Sequence, residues 1–183
     1  LTVGPRAEAV IQDRKTPVQS WYLDTTLLRR YWSGTRSYHH TAPISMTYGL
    51  REGLRVVLEE GMEARIQRHS KVSDALKTGL EALGLRLFAQ EGYRLPTLTT
   101  VRIPDGVEDA AVRSALLERY GIEIGGGLGP VAGQVWRIGL MGDNATASSV
   151  LTLLSVLEDL LPENGYEIAR GEGVAAAQRA LAG

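Results

Sequence analysis

Three groups of residues have types and spacings that suit chemistry. Arg137 stands inside the apolar run Val135-Trp-Arg-Ile138, with Gly139 and Gly142 just beyond it. A charge within an apolar strand must face solvent or meet a partner. The planar guanidinium also matches a carboxylate through two parallel N–H···O bonds. Its readings are therefore an internal ion pair, an exposed strand face, or a grip on an anionic ligand. Tyr38-His39-His40-Thr41 places two hydroxyls around two imidazoles. Loop hydroxyls are good donors to phosphate. Adjacent histidines point in different directions on most backbones, so no shared metal is expected there; the other reading of the cluster is a surface or interface loop. The run Gly125-Gly-Gly-Leu-Gly-Pro130 invites comparison with a phosphate loop. Such a loop opens a helix so that backbone N–H groups face the phosphate. Here Pro130 and a strand pattern follow, and no Gly-Lys-Ser/Thr is present, so a strand-to-strand turn is expected.

Composition narrows the classes. The 183 residues are 44% hydrophobic and 22% charged, the balance of one ordinary globular domain or two small ones. Net charge is -1, so no global basic field recruits nucleic acid or an anionic membrane. The absence of cysteine excludes disulfides, thiolate chemistry and Cys–zinc sites from these residues, and three histidines make a His-rich metal cage a poor fit. No apolar run reaches the length of a membrane span and no signal-peptide pattern opens the sequence, so a cytoplasmic setting is expected. Lysine is scarce: Lys15, Lys71 and Lys77 stand against 17 arginines. Any chemistry needing a lysine has only these to draw on.

The elements that must position these residues follow from patterning. Residues 1–10 read as a strand and turn broken at Gly4-Pro5. Residues 31–41 read as an aromatic, polar loop that packs on something else. From Pro43, placed in a first helical turn, Leu50, Leu54, Val57, Leu58, Met62 and Ile66 keep helical spacing. The pattern continues through Leu83 to a stop at Gly84. This predicts one very long helix, on the order of 60 Å, or two with a break near His69. The arginines and glutamates of 51–68 read as its solvated face. Short strands are expected at 85–88, 98–103, 122–124 and 135–138. A capping box from Asp105 to Glu108 should start a helix that Gly121 ends. Asn144 should cap another helix, ended by Pro162, and the Ala-rich tail should form one more. The order implies an α+β sheet with helices on one face.

Taken in order, several segments together resemble one family. These are Ser20-Trp-Tyr-Leu-Asp24, Tyr38-His-His-Thr41 with Pro43, Leu95-Pro-Thr97, Thr100-Val101, Ile122-Glu-Ile124, Gly126-Gly-Leu-Gly129, Arg137-Ile-Gly139, Met141-Gly142 and Asn144-Ala-Thr146. The chain resembles the alanine–glyoxylate/serine–pyruvate aminotransferases, class V enzymes of fold type I that use pyridoxal 5′-phosphate (PLP). The resemblance runs from about residue 1 to about residue 160. It implies an α/β fold: the PLP-dependent transferase C-terminal small domain (α+β sheet with helices on one face) plus the end of the large domain. The implied division is 1–42, the end of the large domain with a dimer-interface loop, and 43–183, a long bridging helix and small domain.

The resemblance further implies a transaminase acting on a small amino acid, alanine or serine, with glyoxylate as acceptor. Arg137 matches the arginine that holds the substrate α-carboxylate. Tyr38 and Thr41 match residues that reach the PLP phosphate of the neighbouring subunit, which implies a homodimer. His39 and His40 match the motif without an assigned role. A complete family member is about twice this length, and the Schiff-base lysine lies upstream of the position matching Leu1. None of Lys15, Lys71 and Lys77 matches it, so no catalytic residue is expected here. The expectation is an enzyme complemented by the N-terminal half. The alternatives are a non-catalytic interaction fragment or another class V activity, such as ureidoglycine–glyoxylate transamination.

Overall fold

The computed structural model describes residues 2–34 and 37–183. The sequence expectations touching Leu1, Thr35 and Arg36 lie outside these residues. The described chain forms two units, Leu1–Arg55 and Val56–Gly183.

The first unit corrects the expected strand and turn at its start. α1 (Pro5–Gln12) is a helix with proline at its first position, where the fixed φ is pre-organised and the missing N–H costs nothing. A 3-10 turn follows at Trp21–Leu23. α2 (Thr25–Trp32) then takes up Tyr31 and Trp32, the first two residues of the expected loop. Asp24 starts it, its carboxylate accepting the Thr26 N–H at 2.9 Å. This cap is the kind that lets so short a helix form. The Thr26 hydroxyl also donates to Asp24, and that bond is the main cause holding the carboxyl below its ordinary range. α1 and α2 are joined by an exposed ion pair between Arg29 and Glu8. No described apolar side chain in this unit is fully buried; among its described residues His39 is the one that is buried.

α3 (Ile44–Glu60) and α4 (Met62–Ala82) replace the single long helix. Pro43 precedes α3, its carbonyl accepting the Thr47 N–H. The break falls at Gly61 and not near His69. Gly61 has φ +82°, a left-handed conformation that ordinary side chains resist. His69 instead stays inside α4, buried. Many large apolar residues of α3 are exposed, among them Ile44, Met46, Leu50 and Leu58.

In the second unit the expected strand at 98–103 is β1 (Leu98–Arg102), and that at 135–138 is β3 (Val135–Gly139). β2 is the two-residue Gly125–Gly126. The sheet order is β1-β3-β2, all antiparallel. The expected strand at 122–124 is not formed. Gly121 ends α5 (Asp109–Tyr120) in the left-handed conformation, and the Ile122 N–H turns back to the Leu116 carbonyl. That spends the backbone before it reaches the sheet. The expected strand at 85–88 reduces to one bridge, Leu87 with Val101.

Other expected caps shift. Asp105 does not start α5, because the Pro104–Val107 segment closes as a turn. Glu108 caps it, its carboxylate accepting the Ala110 and Ala111 N–H groups. α6 (Ala147–Glu163) is capped by Thr146, whose hydroxyl accepts the Ser149 N–H, and not by Asn144. Asn144 lies in a 3-10 turn, Gly142–Asn144. Pro162 lies within the last turn of α6 and does not end it. The Ala-rich tail forms α7 (Glu172–Ala182) as expected.

Strand alternation sorts the sheet into two faces. Val101, Trp136 and Ile138 enter one apolar core with Leu76 and Leu80 of α4, Leu116 of α5 and Leu154 of α6. Trp136 is fully buried, and its indole N–H donates to Asp109 at 3.0 Å. Thr100, Arg137 and Gly125 share the other face, Arg137 lying between its two partners. Glu158 of α6 accepts the Gly171 and Val174 N–H groups, tying the start of α7 to the core. Among the described residues no helix is long and apolar enough to cross a membrane.

Candidate functional site

Arg137 is half-buried on the face of β3 away from the core. Its Nε donates to the Gly126 carbonyl at 2.7 Å. Among the described residues no carboxylate pairs with it, so the internal ion pair considered from sequence is absent. The guanidinium lies flat against Gly125. A Cβ built there would come within 3.1 Å of Nη2 and 3.4 Å of Cζ. Glycine thus supplies the clearance the guanidinium occupies. The expected turn is only partly one: Gly125 and Gly126 are strand, and the chain turns from Gly127 onward through the 3-10 turn Gly129–Val131. The glycine run therefore carried a signal that sequence reading took for turn geometry alone.

The backbone leaving β3 is held by α4. The His69 Nδ1–H donates to the Arg65 carbonyl at 2.7 Å, which leaves Nε2 to accept the Gly142 N–H at 3.2 Å. Arg68 donates to the carbonyls of Gly142 and Ala145. Glu60 receives both Arg68 and Arg65, at 2.9 and 2.7 Å. These arginines, Arg68 first, lower the Glu60 carboxyl to about 2. No periodicity or motif announces this clamp, because its members are a lone histidine and residues of an ordinary charged helix face.

Tyr38 and Thr41 form a separate candidate group, in the first unit. Their hydroxyls are 2.7 Å apart and both residues are exposed, Tyr38 at 71%. His39, between them in sequence, points the other way and is only 5% exposed. Its ring stacks on Trp21 with centroids 4.0 Å apart. Its Nε2 is 3.0 Å from the Trp21 carbonyl, which can only accept, so that nitrogen carries the hydrogen. In the neutral ring Nδ1 then accepts from His40 Nδ1–H at 2.8 Å. His40 meets Tyr22 and Tyr31 edge-on or tilted. The two motifs Ser20–Asp24 and Tyr38–Thr41 are thus packed ring against ring, a juxtaposition the sequence did not give. Among the described residues no cluster of three or more His, Asp or Glu side chains could hold a metal.

No protein-family model matches the chain. Individual proteins do. The chain is 41% identical over 175 residues to the (S)-ureidoglycine–glyoxylate transaminase of Bacillus subtilis, covering 96% of this chain and 42% of that protein. It is 44% identical over 165 residues to the alanine–glyoxylate aminotransferase of Callithrix jacchus, covering 88% and 40%. The crystal structure of ureidoglycine–glyoxylate aminotransferase from Bacillus subtilis superposes with a TM-score of 0.92 at 42% identity, over all of this chain and 47% of that one.

The fold is accordingly that of the PLP-dependent aminotransferases of fold type I. Within that class the homologues it matches are class V, alanine–glyoxylate type aminotransferases, and the match is to a C-terminal portion of them. It spans about two-fifths of the length of the curated relatives it matches.

Proposed function

We propose that this chain is the substrate-gripping segment of a PLP-dependent aminotransferase that moves an amino group from a small amino acid, alanine or serine, to glyoxylate. The observation that carries the reading is the half-buried Arg137, held by one backbone bond and free of any acidic partner among the described residues. A cation kept from water and left without a counter-ion is costly unless an anion visits it. With Nε committed to Gly126, Nη1 and Nη2 remain to meet an α-carboxylate in bidentate fashion. The relatives named above support glyoxylate as acceptor, since both carry it in their names. Their donors differ, and ureidoglycine is the alternative to alanine or serine.

The exposed hydroxyls of Tyr38 and Thr41 fit a phosphate, which can accept from both when their mutual hydrogen bond gives way to it. PLP, when bound, supplies the electron sink for breaking the bond at the amino-acid Cα. This chain's residues bind and orient: Tyr38 and Thr41 hold the phosphate and Arg137 holds the carboxylate. None of Lys15, Lys71 and Lys77 is assigned to the catalytic proton transfer, which falls to a lysine of the N-terminal half. We assign residues 1–42 to the end of the large domain with its interface loop, and 43–183 to the bridging helices and small domain. The exposed apolar residues of the first unit and α3 support burial against that half and a second subunit. The test is the complete enzyme loaded with PLP and mixed with L-alanine and glyoxylate. Pyruvate and glycine should form in equal amounts; no pyruvate from alanine, with serine and ureidoglycine equally inert, refutes the reading.

A further inference from the structure

We infer that His39 is a positioning residue for cofactor phosphate, with His40 as its hydrogen-bond partner; this rests on the reading of Tyr38 and Thr41 given above. Residues 37–43 belong to no helix or strand, so no ladder fixes them. Besides one backbone bond from Ser37 to Arg30, ring contacts hold them: His40 with Tyr22 and Tyr31, Tyr38 with Tyr31, and His39 with Trp21. Among the described residues of its unit His39 is the one that is buried, it stacks on Trp21, and it bonds the Trp21 carbonyl through Nε2. With the His39 ring pinned inward, Tyr38 beside it is turned outward and meets Thr41 at 2.7 Å.

The hydrogen positions are also set. The Trp21 carbonyl fixes the Nε2–H tautomer of neutral His39, so its Nδ1 accepts and His40 must donate from Nδ1. Each ring therefore has one orientation that satisfies the chain of bonds, and two hydroxyls three residues apart are held together, each free to donate to a phosphate once their mutual bond opens. Fixing donors in advance of ligand arrival reduces the ordering cost of binding.

The test uses the complete enzyme and compares PLP with pyridoxal, which lacks the phosphate. His39→Phe keeps a ring on Trp21 and removes both nitrogen bonds. PLP affinity should fall roughly 5- to 30-fold, the range for losing a buried hydrogen bond, while pyridoxal affinity stays within about twofold. In a Tyr38→Phe background the same change should add little, because it acts through that hydroxyl. His39→Gln, whose amide reaches toward the same carbonyl, should recover part of the loss. Equal weakening of PLP and pyridoxal, or no change in either, overturns the inference and leaves His39 as a packing residue. If Tyr38→Phe and Thr41→Ala themselves leave the PLP-to-pyridoxal ratio unchanged, the phosphate reading fails and this inference with it. Should His39→Phe not fold, His39→Gln and Trp21→Phe are measured in the same way. An unchanged ratio in both is then the refuting result.

Discussion

Replacing Arg137 with alanine removes the two Nη groups that remain after Nε is committed to the Gly126 carbonyl. Two hydrogen bonds to a charged acceptor are worth about 1.5–3 kcal/mol each. Arg137 is only half-buried, so the lower end applies, giving about 3 kcal/mol in all, or about 150-fold in kcat/KM. Arg137→Lys keeps the charge but not the fork and should lose less, about tenfold. Gly125→Ala presses a methyl group to 3.1 Å from Nη2, so the guanidinium must give by a few tenths of an ångström. It should also cost about tenfold, by displacing the Nη2 group that meets the carboxylate. The assay is the absorbance change of enzyme-bound cofactor on mixing with L-alanine, under single-turnover conditions. The same series run with L-alaninamide, which has no carboxylate, should show almost no dependence on residue 137. A kcat/KM for alanine within about twofold of the parent in Arg137→Ala, or equal losses for alanine and its amide, refutes the assignment.

Other consequences are equally direct. Tyr38→Phe removes one phosphate donor and should weaken PLP retention about tenfold, measured by equilibrium dialysis; unchanged retention removes that role. The Glu60 carboxyl is lowered from 4.5 to about 2 by Arg68 and Arg65. A depressed folded-state value stabilises the protein above pH 4.5 and loses that contribution as pH falls toward about 2. Glu60→Gln should therefore flatten the fall of stability over that window, read from denaturation at a series of pH values. An unchanged slope removes the linkage. Glu158→Ala leaves the Gly171 and Val174 N–H groups without their acceptor. It should cost about 1–3 kcal/mol, visible as a lower denaturation midpoint, and α7 should lose hydrogen-exchange protection first.

What was legible in the sequence was what periodicity and punctuation encode. The apolar spacing from Leu50 to Leu83 gave helix, and Gly121 gave a stop, because 3.6-residue repeats and left-handed glycines are local facts. The break at Gly61 was not legible: glycine inside a helical pattern is tolerated as often as it breaks one. α2 was missed because a helix of eight residues shows barely two turns of pattern, and its aromatic content resembles a loop. β2 was misplaced because strand pairing depends on β3, a distant partner, while Ile122–Ile124 look more strand-like than two glycines. At the site, Arg137 and the Tyr38–Thr41 motif were found from residue type and order. The fit of Gly125 to the guanidinium and the stacking of His39 on Trp21 needed three dimensions, since each joins segments that are distant in sequence.

The oily residues that α3 leaves in water also bear on handling the polypeptide. Ile44, Met46, Tyr48, Leu50 and Leu58 are each more than half uncovered. Expressed by itself, this stretch should clump during purification or stay with chaperones, and co-expression with its complementary portion should rescue recovery. Substitutions that loosen the cover over this helix would then act by depleting the protein in the cell, with the chemistry of surviving molecules left intact.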